Sequence, residues 1–216
     1  MRVDAILLDA GGVFLLPDFG LVASRLRALG IETDASRYPR AHYSSMRAVD
    51  LAPEPPPYWR AYTTAFVAEL GITGDIVPDA GKTVNRAFVD MEWDVLIEPA
   101  LAALPLLAER AQLAIVSNSD GTVERLLRGH GIGEEMVAIL DSHLIGIEKP
   151  DPRIFEMALV EIGVPPDRAV HVGDSVRFDV IGARNAGVRP IHLDPFDLCD
   201  ENHDHITSLL EVTQLI

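Results

Sequence analysis

From about residue 98 onward, short apolar runs alternate with segments of helical periodicity, and this alternation restricts the possible folds more than any other feature of the chain. EPALAALPLLAER suits a helix, LAIVS a buried strand, GTVERLLRGHG a helix ending on glycine, and MVAILDSHLIG a strand region. PDPRIFEMALVEIG predicts a helix with proline near its start, RAVHVGD a strand, VRFDVIGARNAG a helix with glycine at its end, and RPIHLD a last strand. The final stretch ITSLLEVTQLI has the pattern of a terminal amphipathic helix. Strands alternating with helices imply an α/β fold, a doubly wound parallel sheet with helices on both faces.

One more strand stands near the start. VDAILL is a short apolar run that stops at Asp9 and enters Gly11-Gly12, as a buried strand running into a tight turn would. About 100 residues separate this run from LAIVS, whereas a strand-helix-strand unit needs only about 30. The excess is helical in pattern, around DFGLVASRLRALG, RYPRAHYSSMRAVD, PYWRAYTTAFVAELG and DAGKTVNRAFVDMEW. Residues 1–16 and 96–216 are therefore expected to form the Rossmann-like core, and 17–95 a small α-helical cap. Pro53, Pro55, Pro56 and Pro57 break helices and are expected to separate two of them.

In a doubly wound sheet, ligands bind outside the carboxyl ends of the strands. The polar residues expected there are Asp9 after AILL, Ser117 and Asn118 after LAIV, Lys149 shortly after the HLIG strand, and Asp174 after VHVG. A carboxylate can attack phosphorus or carbon and form a covalent intermediate. Phosphoryl transfer then needs charge neutralisation, which a metal ion, a lysine and hydroxyl or N–H donors can provide. Asp9 and Asp174 suit Mg²⁺, a hard ion that takes one or two carboxylates and keeps several waters. Asp179, one helical turn further on, could add a ligand or orient a metal-bound water. Of 18 basic residues only Lys82 and Lys149 are lysines, so Lys149 reads as a position that requires a compact point charge.

These residues carry a family resemblance. LLDAGGV with Asp9, IVSNS with Ser117, GIEKPDPRIF with Lys149, and HVGDSVRFD with Asp174 and Asp179 resemble the four motifs of the haloacid dehalogenase-like hydrolases, in order. The resemblance covers nearly the whole chain, including a helical cap between motifs one and two. It implies an aspartyl-phosphate intermediate at Asp9, Mg²⁺ held by Asp9, Asp174 and the carbonyl of Gly11, and phosphate gripped by Ser117, Asn118 and Lys149. The sequence departs from the usual pattern at Gly11, where most phosphatases of the family carry a second Asp as general acid/base. Loss of such a group typically costs about 10²–10⁴-fold in rate. Three readings stand: a phosphatase acting on a good leaving group or using a cap proton donor, a dehalogenase-like hydrolase, and a non-catalytic binding protein. A Schiff-base role for Lys82, the one cap lysine, is not matched by its surroundings.

The expected activity is hydrolysis of a small phosphorylated metabolite. In the cap, His42, Tyr43, Arg47, Trp59 and Arg60 are candidates for substrate selection. A net charge of −15 without a basic stripe excludes nucleic acid and anionic membrane as partners. No apolar run approaches the ~18 residues of a membrane span, and the single cysteine, Cys199, fits a reducing, cytoplasmic compartment. Cys199 itself reads as inert and His171 and His192 as structural histidines within strands; His203 and His205, with Asp204 between them, could suggest a metal pair, but with no further ligands nearby in sequence they read as a solvated start to the last helix.

Overall fold

The computed structural model describes residues 2–53, 58–90 and 93–216. The chain divides into two compact units, one made of Met1–Leu15 and Leu96–Ile216, the other of Leu16–Val95. Two short strands, β2 (Leu15–Leu16) and β3 (Val95–Leu96), pair where the chain passes from one unit to the other.

The first unit is built on a six-stranded sheet in the order β5-β4-β1-β6-β7-β8. Its strands are β1 (Ala5–Leu8), β4 (Gln112–Ser117), β5 (Met136–Asp141), β6 (Ala169–Gly173), β7 (Arg189–Leu193) and β8 (His205–Ile206), and every pairing is parallel. β1 explains the apolar run AILL: all four side chains are buried, pointing alternately to the two faces. Ile6 and Leu8 pack in a layer with Ala103, Leu104 and Leu107 of α5 (Glu98–Ala108) and with Val123 and Leu127 of α6 (Val123–Gly129). Ala5 and Leu7 face Ile154, Phe155, Ala158 and Leu159 of α8 (Pro152–Ile162). Truncating a side chain such as Leu7 to alanine would cost about 2–5 kcal/mol.

α8 shows how its sequence sets both boundaries. Asp151 caps the start, accepting from the Arg153 N–H, and Pro152 occupies the first turn, where no N–H is needed. Apolar residues at 154, 155, 158, 159 and 162 make the buried stripe, and Gly163 ends the helix in the left-handed conformation at φ 71°.

Three expected elements take a different form. HLI is no strand: Asp141 accepts from the His143 N–H and caps a short helix, α7 (Ser142–Ile145), so β5 stops at Asp141. The helix after Asp174 opens as a π-helical turn, Val176–Val180, before α9 (Ile181–Asn185). The terminal stretch is no single helix. It holds β8, then a capping box between Ser208 and Glu211 that starts a brief turn leading into α10 (Val212–Leu215).

The second unit contains α1 (Phe19–Ala28), α2 (Tyr38–Asp50), α3 (Tyr58–Glu69) and α4 (Val77–Asp90). Tyr38, Tyr62, Phe66 and Phe88 are its aromatic core, with Phe66 5.3 Å edge-on to Phe88 and 5.9 Å from Tyr62. α2 ends at Asp50 and α3 begins at Tyr58; Pro55, Pro56 and Pro57 lie outside the described residues. No helix among those described is long and apolar enough to cross a membrane.

Candidate active site

β1 is central, with β4 and β5 to one side and β6, β7 and β8 to the other. The strand order therefore reverses at β1, and the carboxyl ends of β1, β4 and β6 bracket the crevice in which such sheets bind ligands. Asp9 follows β1, Ser117 ends β4 and Asp174 follows β6. Lys149 reaches the same place from the loop before α8 rather than from a strand end.

Lys149 is 2% exposed and bound to two carboxylates, with Nζ 3.0 Å from Asp9 Oδ2 and 2.7 Å from Asp179 Oδ1. Its backbone is clamped by Asn118, whose Oδ1 accepts from the Lys149 N–H at 2.7 Å while its Nδ2 donates to the Lys149 carbonyl at 2.9 Å. Asn118, expected at the phosphate, spends its side chain on the lysine. Both ends of its amide are committed to holding the lysine.

Asp179, expected as a further metal ligand or to orient a metal-bound water, lies in one carboxylate group with Asp9 and Asp174 and is also paired with Lys149. Its Oδ1 accepts from Lys149 and lies 2.8 Å from His171 Nε2, and its Oδ2 accepts from the Ser175 N–H at 3.1 Å. With this many donors facing it, Asp179 anchors Lys149. The close approach is permitted by Gly173, where a Cβ would lie 2.1 Å from the Asp179 carboxyl carbon.

The electrostatics follow from two buried carboxylates sharing one ammonium. Burial alone would raise the pKa of Asp179, but Lys149 and His171 outweigh it and hold the group below the ordinary carboxylate range. Burial also raises Asp9; Lys149 opposes this, Asp179 adds to it, hydrogen bonding from Ser117 opposes it, and the net direction is upward. Lys149 would lose its proton more readily through burial, yet Asp179 and Asp9 prevail and push its pKa up. The lysine thus stays an ammonium, and Asp9 is the more basic carboxylate.

The turn after Asp9 brings backbone against Asp174. Gly12 has φ 68°, and a Cβ there would lie 2.1 Å from Asp174 Oδ2, so only glycine fits. Gly11 forms a bridge to Leu15 within the same turn. Oxygens of Asp9, Asp174 and Asp179 come within 4.8 Å of one another. This all-oxygen set beside a close-packed backbone turn fits a hard divalent cation.

The cap candidates divide by exposure. His42 has no exposed surface; its Nδ1 lies 2.8 Å from Tyr62 Oη, and its ring packs edge-on to Tyr43, Tyr62 and Trp93. His42 and Tyr43, both expected to take part in substrate selection, are buried and pack against each other edge-on. Arg47 is half-buried, while Trp59 and Arg60 are exposed on α3. Lys82 is exposed and pairs with Asp79 at 3.1 Å.

Two contributors escaped the sequence reading. His171, expected to be merely structural, stands beneath Asp179 and orients it. Asp141 ends β5 as Asp9 follows β1, and the run VAILD carried that signal; its buried carboxylate accepts from the N–H groups of Gly121, Val123 and His143.

Fold and site together define an α/β protein with a lysine-bearing carboxylate centre at the switch point of its sheet. A family model for haloacid dehalogenase-like hydrolases matches residues 3–187, and the chain belongs to that family. It is 36% identical over 120 residues to a phosphoserine phosphatase of Thermus thermophilus, a match covering 54% of this chain and 48% of that protein. The match thus spans about half the relative's length. Among solved structures, the magnesium-bound HAD hydrolase YfnB of Bacillus subtilis superposes with a TM-score of 0.67 at 19% identity, covering 100% of this chain and 99% of that one. The L-2-haloacid dehalogenase of Xanthobacter autotrophicus gives 0.60 at 17% identity, covering 99% and 98%. At these identities the structural matches speak to the fold.

Proposed function

We propose that the protein is a Mg²⁺-dependent phosphatase acting on a small phosphorylated metabolite. The observation that carries this reading is the Asp9-Lys149-Asp179 constellation, with Asp174 against the same turn. Asp9, ionised and the more basic of the two carboxylates facing Lys149, attacks phosphorus in line and becomes an aspartyl-phosphate while the ester oxygen leaves. Lys149 and the Ser117 hydroxyl neutralise and orient the phosphoryl oxygens. Asp179, His171 and Asn118 keep the ammonium in position. Water then hydrolyses the acyl phosphate and regenerates Asp9. Asp9, Asp174 and the Gly11 carbonyl would hold Mg²⁺, which supplies further charge neutralisation at the phosphoryl group.

The phosphoserine phosphatase relative and the magnesium-bound structural neighbour support this reading. Trp59 and Arg60 remain candidates for substrate selection. Gly11 favours a second reading, carbon–halogen hydrolysis, because a departing halide needs no proton. The test measures phosphate release from a metabolite panel with and without Mg²⁺, and halide release from 2-haloacids, for wild type and Asp9→Asn. Phosphate release that needs both Mg²⁺ and Asp9 is expected. Metal-independent halide release without phosphate release would favour the dehalogenase.

A further inference from the structure

Away from Asp9, a second group of metal-binding side chains meets at the edge of the sheet. The parallel register of β7 and β8 sets His192 beside His205. The loop between these strands returns Cys199 and His203 to the same point, so that one ligand atom from each of the four lies within 4.8 Å of the others. The ring centroids are 4.1 Å apart for His203 and His205, and His192 is 5.2 Å from each. Hydrolysis at Asp9 uses none of these side chains.

Each donor is oriented. His192 Nε2 lies 3.2 Å from the Asp174 carbonyl oxygen; donating there, it carries its proton on Nε2 and turns the Nδ1 lone pair into the cluster. Metal-bound histidines are braced in this way, through the ring nitrogen that does not bind the ion. His203 Nε2 sits 3.1 Å from that Nδ1. His205 Nε2 is buried and finds no hydrogen-bond partner among the described residues, a costly state for a polar atom. The loop presenting Cys199 is fixed by Asp194, whose Oδ2 accepts from the N–H groups of Leu198 at 2.6 Å and Cys199 at 2.7 Å. Cys199 is 8% exposed and packs on Val176 and Val180.

We propose that His192, Cys199, His203 and His205 form a structural site for a zinc-class divalent ion, separate from the Asp9 centre. One thiolate and three imidazoles are a borderline-soft set that selects Zn²⁺ over Mg²⁺. Four protein ligands close a tetrahedral shell, which marks a structural rather than a catalytic ion. Bonds of about 2.0–2.3 Å require donors roughly 3.3–3.7 Å apart, so a contraction of about 1 Å completes the site. The Cys199 thiol loses its proton to solvent on binding. The ion ties the loop to β7 and, through His192, braces the Asp174 carbonyl.

The test uses the full chain without a polyhistidine tag, in excess Mg²⁺ so that oxygen sites are filled. Zn²⁺ is titrated in competition with a chromogenic chelator, and Co²⁺ serves as the spectroscopic probe. One equivalent of Zn²⁺ is expected, with tetrahedral Co²⁺ bands and a sulfur-to-cobalt charge-transfer band. Free Zn²⁺ at a hundredfold excess over its Kd should raise Tm by about 5–10 °C. Cys199→Ser should abolish the charge-transfer band and weaken Zn²⁺ binding at least tenfold, His203→Gln should weaken it similarly, and Asp9→Asn should retain it. Failure of wild type to compete for Zn²⁺, a cobalt spectrum without sulfur ligation, or loss of binding in Asp9→Asn would overturn the proposal. The wild-type cobalt spectrum decides the matter even if a variant fails to fold.

Discussion

Asp179→Asn separates two roles that a buried carboxylate beside Asp9 could play. Asp179 is 1% exposed, with Lys149 Nζ at 2.7 Å, His171 Nε2 at 2.8 Å and the Ser175 N–H at 3.1 Å. At 2.7 Å and an effective permittivity of about 20, the gross attraction to Lys149 is about 6 kcal/mol. Desolvation cancels much of this, and removing one partner of a buried pair usually costs about 3–5 kcal/mol. Lys149 keeps Asp9 at 3.0 Å, so a loss near the lower end is expected, about 3 kcal/mol. For a chain of this size that lowers Tm by about 6–12 °C. The assay is thermal unfolding of the metal-free protein followed by circular dichroism, alongside the pH profile of kcat/KM. The negative charge of Asp179 helps raise the pKa of Asp9. Attack needs Asp9 ionised, so its removal should move the acid limb of the profile to lower pH. A metal-binding Asp179 predicts the reverse: relief of carboxylate crowding, an unchanged or higher metal-free Tm, and weaker Mg²⁺ binding. An unchanged Tm and an unmoved acid limb would refute the anchoring role.

Two further outcomes follow from particular residues. With glycine at position 11, the leaving oxygen has no acid on the nucleophile turn, so rates on substituted phenyl phosphates should rise steeply as leaving-group pKa falls; a flat series would reveal a donor elsewhere. His42 is buried and its pKa is pushed down from 6.5 to about 3 by burial, so the folded state keeps it neutral while the unfolded chain takes up a proton. Stability should therefore be lost as pH falls from 6.5 toward 3, by at most about 5 kcal/mol at about 1.36 kcal/mol per pH unit. Urea unfolding should show this slope reduced in His42→Phe, and identical slopes in the two proteins would disprove it.

The α/β architecture was legible because AILL and LAIV are apolar throughout, as strands covered on both faces must be, because VHVG departs from that pattern only at His171, and because each of the three runs into a polar residue. HLI was misread because its apolar residues suit a strand, whereas Asp141 caps it as a helix through a local hydrogen bond. The acidic and lysine residues of the centre announced themselves by type. Their partners did not: that Asn118 would clamp the Lys149 backbone, or that His171 would stand behind Asp179, depends on contacts between residues 31 and 8 positions apart. Of the cluster of His192, Cys199, His203 and His205, the sequence suggested only the pair His203 and His205, set aside because no further ligands stood nearby. The cluster's spacing follows no short metal-binding pattern, and only the register of β7 against β8 brings His192 to His205.

The central claim, that Asp9 carries the phosphoryl group, is tested most directly by quenching the enzyme during turnover with Mg²⁺ and a good phosphate ester, then reducing it with borohydride. An acyl phosphate at Asp9 is converted to homoserine, which peptide mapping by mass spectrometry detects. Homoserine is expected at position 9 only when substrate is present, and neither that product nor phosphate release from Asp9→Asn. Sustained phosphate release with position 9 unmodified, or release by Asp9→Asn at the wild-type rate, would contradict the claim.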